Sequence, residues 1–124
     1  MRWLTRLAFL LTACAAPAVA QPWPDKPVKM VVPFGPGGPA DVYARVVAQE
    51  LTETFKQQFI IDNKPGAGAI IGTDVAAKAT PDGYTLLMMS NTHTVNETLF
   101  SKKPYELLRD LIPVAPVNSS DLVM

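Results

Sequence analysis

Three short stretches concentrate the groups able to hold an anion without a charged side chain. The first is Phe34-Gly35-Pro36-Gly37-Gly38-Pro39-Ala40-Asp41, the second Gly66-Ala67-Gly68, and the third Ser90-Asn91-Thr92. A glycine turn that opens a helix leaves backbone N–H groups without intrahelical partners, and the helix dipole adds to their pull on negative charge. Ser90, Asn91 and Thr92 add hydroxyl and amide donors from a third direction. The candidate binding residues are therefore Phe34, Gly35, Gly37, Gly38, Ala40, Asp41, Gly66, Ala67, Gly68, Ser90, Asn91 and Thr92. Phe34 reads equally as core or as a wall of the cleft. Asp41 reads first as a helix-capping residue, because a carboxylate beside a bound anion repels it unless it bonds the loop instead.

The elements that must position these turns follow from periodicity. Val28–Phe34 is short, β-branched and bounded by prolines, as in a strand buried on both faces. Over Asp41–Phe55, Val42, Val46, Val47, Leu51 and Phe55 recur at helical spacing and mark the packing face of an amphipathic helix. Phe59–Asp62 is a second strand, Ile70–Ala79 a second helix closed by the Pro81-Asp82-Gly83 turn, and Thr85–Met89 a third strand. A polar loop over Ser90–Thr94 runs into a short helical piece, and Leu111–Val117 is a fourth strand or an extended segment. Strand and helix alternating at this pace predict an α/β fold with a mostly parallel sheet flanked by helices. In such a sheet the loops at the carboxyl ends of the strands converge on one edge, where ligands bind. The three stretches above are those loops.

The first turn also matches a nucleotide fingerprint. Gly35, Gly37 and Ala40 fit G-x-G-x-x-A between a strand and a helix, and Asp62 stands near the position of a ribose-binding acid. Pro36 and Pro39 lack N–H donors, however, and the second glycine turn has no place in that fingerprint. No Lys-Ser or Lys-Thr follows the glycines, which excludes a Walker loop. No organic cofactor and no metal is expected. His93 is the only histidine, expected at a surface or in a hydrogen bond, and no carboxylate pair or His/Cys cluster offers catalysis or metal ligation.

The ends of the chain bear on its location. Arg2 and Arg6 precede an apolar run, Leu7–Ala16, too short to span a bilayer, and Ala18-Val19-Ala20 is a small-x-small site. Residues 1–20 are thus expected to be a signal peptide cut after Ala20, sending the chain to the periplasm. Leu11-Thr12-Ala13-Cys14 offers a competing lipoprotein cut that would anchor the chain through Cys14. Removing Arg2 and Arg6 leaves nine basic residues against 11 acidic ones, which is no footprint for nucleic acid.

The runs "PVKMVVPFGPGGPADVYARVVAQEL", "IIDNKPGAGAIIGTDVAAKATPDGYTLL" and "PYELLRDLIPVAPV" resemble, in order, the Bug-type periplasmic receptors of tripartite tricarboxylate transporters. That resemblance implies a type II periplasmic-binding-protein fold, with residues 21–124 forming an incomplete first lobe of a two-lobe protein. It also implies capture of a small carboxylate (a di- or tricarboxylate, an acidic amino acid or an aromatic acid), delivery to an inner-membrane permease, and no enzymatic turnover. The chain is expected to be a monomer, to bind poorly or fold marginally alone, and to have no nucleic-acid partner. The alternative is a small exported hydrolase using the glycine loop as an oxyanion hole.

Overall fold

The computed structural model describes residues 22–119; the leader expected over residues 1–20 and the chain beyond residue 119 lie outside it. Strand β1 (Val28–Val32) lies between β2 (Phe59–Asn63) and β3 (Thr85–Leu87), all parallel, in the order β2-β1-β3. The register pairs Val28 with Phe59 and Val32 with Asn63 on one side, and Lys29 with Thr85 on the other. β1 is buried except at Lys29, and Asp62 of β2 sits 3.9 Å from that ammonium. The expected strand thus stops short of Pro33 and Phe34, which begin the first loop.

Parallel neighbours require crossover helices, and the strand order puts these helices on opposite faces of the sheet. Helix α1 (Pro39–Phe55) covers the face formed by Val28, Met30 and Val32. Its packing residues are only partly those expected: Val47 and Leu51 pack on the core as the stripe predicted. Ala44 and Ala48 are buried, with Val47 and Leu51 half-buried, whereas Val42, Val46 and Phe55 are exposed. Small alanines let the helix lie close on the strands, and that shift of face carries Asp41 inside with them.

Helix α2 (Ile70–Ala77) follows a short 3₁₀ turn, Ala67–Ala69, and packs on the other face with Gly72, Thr73 and Ala76 buried. Helix α3 (Asn91–Leu99) begins at once after Ser90, so the expected polar loop is in fact the helix start. Helix α4 (Leu107–Asp110) is a single turn, and residues 111–119 carry no strand. The fourth strand is absent among the described residues, since no ladder partner stands beside that segment.

The amino end of the sheet is closed by aromatic side chains. Trp23 meets the edge of Phe55 at 5.5 Å and leans on Tyr84 at 6.1 Å, while Phe55 touches Phe59 at 6.1 Å. Tyr84 Oη donates to Asp25, and Lys26 lies 4.2 Å above the Tyr84 ring. The opposite end, where the strands finish, is built from polar groups.

Candidate functional site

The first loop leaves β1 through Phe34 and enters α1 with Gly38 as N-cap and Pro39 at the first helical position. Proline is at home there, since its missing N–H would have had no helical partner. Gly37 takes a left-handed φ of +81°, which explains a glycine at that position. A Cβ added to Gly35 or Gly37 would meet nothing within 4 Å, so the loop tip is open space.

Asp41 occupies the third helical position and its side chain is almost wholly buried. Oδ2 accepts from the Gly37 N–H at 2.8 Å and from Arg45 Nε at 2.8 Å. Oδ1 accepts from Asn63 Nδ2 at 2.9 Å and from Arg45 Nη2 at 3.1 Å. Asn63 Nδ2 also donates to the Phe34 carbonyl at 3.1 Å. The Arg45 hydrogen bond, then those of Gly37 and Asn63, hold the carboxyl well below the usual carboxylate range despite its burial. The carboxylate is therefore ionised and neutralised in place.

The second loop is held in left-handed backbone. Ala67, Gly68 and Ala69 have φ of 47°, 61° and 75°, a conformation unfavourable for the two alanines. Two side chains from elsewhere sustain it: Asn96 Nδ2 donates to Gly68 O at 2.7 Å, and Thr73 Oγ1 donates to Ala69 O at 2.7 Å.

The third stretch is a helix cap. Ser90 Oγ accepts from Thr92 N–H at 3.3 Å, and His93 Nδ1 accepts from Ser90 N–H at 3.1 Å. Histidine takes the place glutamate or glutamine usually fills in a capping box. Nδ1 also lies 3.1 Å from the Ser90 carbonyl, and Nε2 is buried with no hydrogen-bond partner among the described residues. Burial pushes the imidazole below its ordinary value, opposed by the contact of Nδ1 with the Ser90 carbonyl, which favours the protonated ring. Of its two expected roles His93 takes the hydrogen-bonded one and not the surface one: it is fully buried, its ring edge-on to Phe34 at 6.0 Å and 78°.

Structure thus ties the three stretches together through residues the sequence reading left in the background. Asn63 joins the first loop to the end of β2, Asn96 joins α3 to Gly68, and His93 joins α3 to Phe34. The Asp41-x-x-x-Arg45 spacing was a readable helical ion pair; Asn63 and Asn96 gave no local signal, being defined by long-range partners. Ser90 and Thr92 are engaged in the cap. No group of three His, Cys, Asp or Glu side chains able to hold a metal occurs among the described residues. The loops form an open shelf. A shallow hollow of about 450 Å³, lined by Arg45, Gln49, Glu53, Phe59 and their neighbours, runs between α1 and the β2 edge.

The parallel sheet flanked by helices is shared with solved periplasmic binding proteins. A solved R. palustris protein with adipate matches with a TM-score of 0.65 and 36% identity, over 68% of this chain and 28% of that one. MatC from Rhodopseudomonas palustris, with bound malate, matches with a TM-score of 0.51 and 42% identity over 52% of this chain and 22% of its own. The profile of the tripartite tricarboxylate transporter family receptor matches residues 43–124, and the chain belongs to that family. Protein BugT of Bordetella pertussis is 44% identical over 119 residues, 94% of this chain and 36% of BugT. The chain thus spans about a third of the length of that relative.

Proposed function

We propose that residues 21–124 supply the first lobe of a periplasmic solute-binding receptor that captures a small carboxylate for the permease of a tripartite tricarboxylate transporter. One observation carries the reading. At the open end of the sheet, the first turn of α1 presents N–H groups that helix geometry leaves unpaired, and the one acid beside them is already neutralised by Arg45. Such a shelf attracts a carboxylate without a free cation. Gly66, Ala67 and Gly68, with the Ser90 cap, form the facing walls. The adipate and malate of the neighbouring structures are ligands of the chemistry this shelf suits. The reading includes a leader over residues 1–20 and no turnover: Ser90 Oγ serves the helix cap, and His93 Nδ1 is bonded to the same residue's backbone.

Titrating a ¹⁵N-labelled chain with malate and adipate tests this. Amides of the first and second loops should shift, with a Kd of about 1 mM or weaker for an open shelf. The dimethyl esters, which lack the charge, should leave the spectrum unchanged. An equal response to acids and esters, or none to either, would sink the carboxylate reading. Hydrolysis of a p-nitrophenyl ester that disappears in Ser90→Ala would favour the hydrolase instead.

A further inference from the structure

The geometry points to Asp41 as a positioning residue of the shelf: its carboxylate draws the Gly37 N–H into the fold and leaves the N–H groups of Gly38, Ala40 and Asp41 as the first loop's donors to an anion. The second half rests on the carboxylate reading above; the first half does not. An ionised carboxylate has about four lone-pair sites, two on each oxygen. Here Gly37 and Arg45 fill Oδ2, while Arg45 and Asn63 fill Oδ1. No site remains for a ligand, and an ionised carboxylate has no proton to offer one. The Asp41 side chain is therefore internal machinery.

What it organises is visible in the partners. Asn63 Nδ2 divides between Asp41 Oδ1 and the Phe34 carbonyl, so one amide holds the end of the loop to its beginning. Gly37 at the tip is pulled to the same carboxylate. The loop is thereby fixed at start, tip and finish, and its end is anchored to the last residue of β2. Pro39 has no N–H, and Val42 N–H closes the first helical bond on Gly38 O at 3.0 Å. Helix geometry leaves the amides of Gly38, Ala40 and Asp41 without intrahelical acceptors. Arg45 balances the buried charge, so the anion meets a neutral wall.

Nuclear magnetic resonance on the chain separates the claims. In the unmutated chain, a scalar coupling across the hydrogen bond from Gly37 N to Asp41 Cγ should be detectable, a readout that needs no variant. Asp41→Asn should accelerate Gly37 amide exchange at least about tenfold, the scale of a lost hydrogen bond to a charged acceptor. Asn63→Asp, which sets two carboxylates face to face, should do the same. The double exchange Asp41→Asn with Asn63→Asp restores an acid–amide pair and should bring the rate back toward that of the unmutated chain. On adding malate, the amides of Gly38, Ala40 and Asp41 should move more than that of Gly37. The proposal is overturned by a missing coupling, by unchanged Gly37 exchange in a folded Asp41→Asn, by a double variant no better than the singles, or by malate shifting Gly37 most. Malate that moves no amide while the coupling is present would remove the carboxylate reading alone and leave Asp41 as the clamp of an otherwise unliganded loop.

Discussion

His93 is neutral in the fold, and that single proton has a consequence for stability. Its folded value lies below the ordinary 6.5, chiefly through burial. Between 6.5 and that lowered value the unfolded chain binds the proton and the folded chain does not, so stability falls as pH falls through this window and is unaffected above it. Asp41 works in a separate range. Its folded value is depressed, so its contribution is complete above 3.8 and is lost only as pH drops below that. Urea midpoints at pH 7.5, 6 and 5 should therefore decline, and His93→Gln should flatten the decline, since glutamine keeps the capping box without titrating. With one histidine in the chain, no other imidazole contributes in that window, and an unchanged slope in His93→Gln would refute the assignment. The sequence contained a polar Ser90–Thr94 stretch, but the role of His93 depended on a cap and on Phe34, 59 positions earlier. Its burial was not legible because lone histidines carry no periodic signal. The glycine turns were legible, since glycine and proline act through local backbone geometry.

At the scale of elements, periodicity found every strand and the long helix, yet it misplaced the helix face. Of the expected apolar stripe, Val47 and Leu51 pack on the sheet while Val42, Val46 and Phe55 are exposed, and the buried centre of the face is Ala44 and Ala48. Closeness of packing decided this, and hydrophobicity alone is blind to closeness. The same constraint is sharper on the other face. A Cβ on Gly72 of α2 would stand 2.7 Å from Lys64 O and 2.8 Å from Pro33 Cα, both backbone atoms with no room to yield. Alanine at an open helix position is favoured over glycine by up to about 1 kcal/mol. Here the overlap outweighs that gain, and Gly72→Ala should destabilise by about 1–3 kcal/mol in chemical denaturation. Stabilisation instead would mean that α2 does not sit this close to the ends of β1 and β2. The same substitution should also loosen the second loop, because α2 carries Thr73, which holds Ala69.

Among the described residues, a sheet of three strands leaves β2 and β3 as edges, and the last helix and the segment after it expose large apolar side chains. Leu108, Ile112 and Val114 are 93%, 88% and 83% exposed, high values for side chains of that size. Large apolar side chains left exposed close together in sequence favour association. The chain should self-associate with rising concentration, and Leu108→Lys with Ile112→Lys should suppress this in sedimentation velocity while changing stability by no more than about 0.5 kcal/mol. Equal association in the variant would place the sticky surface elsewhere, at a strand edge. Of the two readings of Leu111–Val117, strand or extended segment, the structure has no strand, because the letters of that run specify extended backbone but not a partner to pair with.

The aromatic closure at the amino end of the sheet determines what intrinsic fluorescence can measure. Of the two tryptophans, one lies at position 3, so a chain cut after Ala20 keeps Trp23 as its sole indole. That indole rests against Phe55 and Tyr84, at the start of the strands, while the loops proposed to hold the anion stand at their finish. Its emission is thus an internal gauge of whether the base of the sheet has assembled. It is optically remote from the shelf, so a flat signal on adding an organic acid would be uninformative about occupancy.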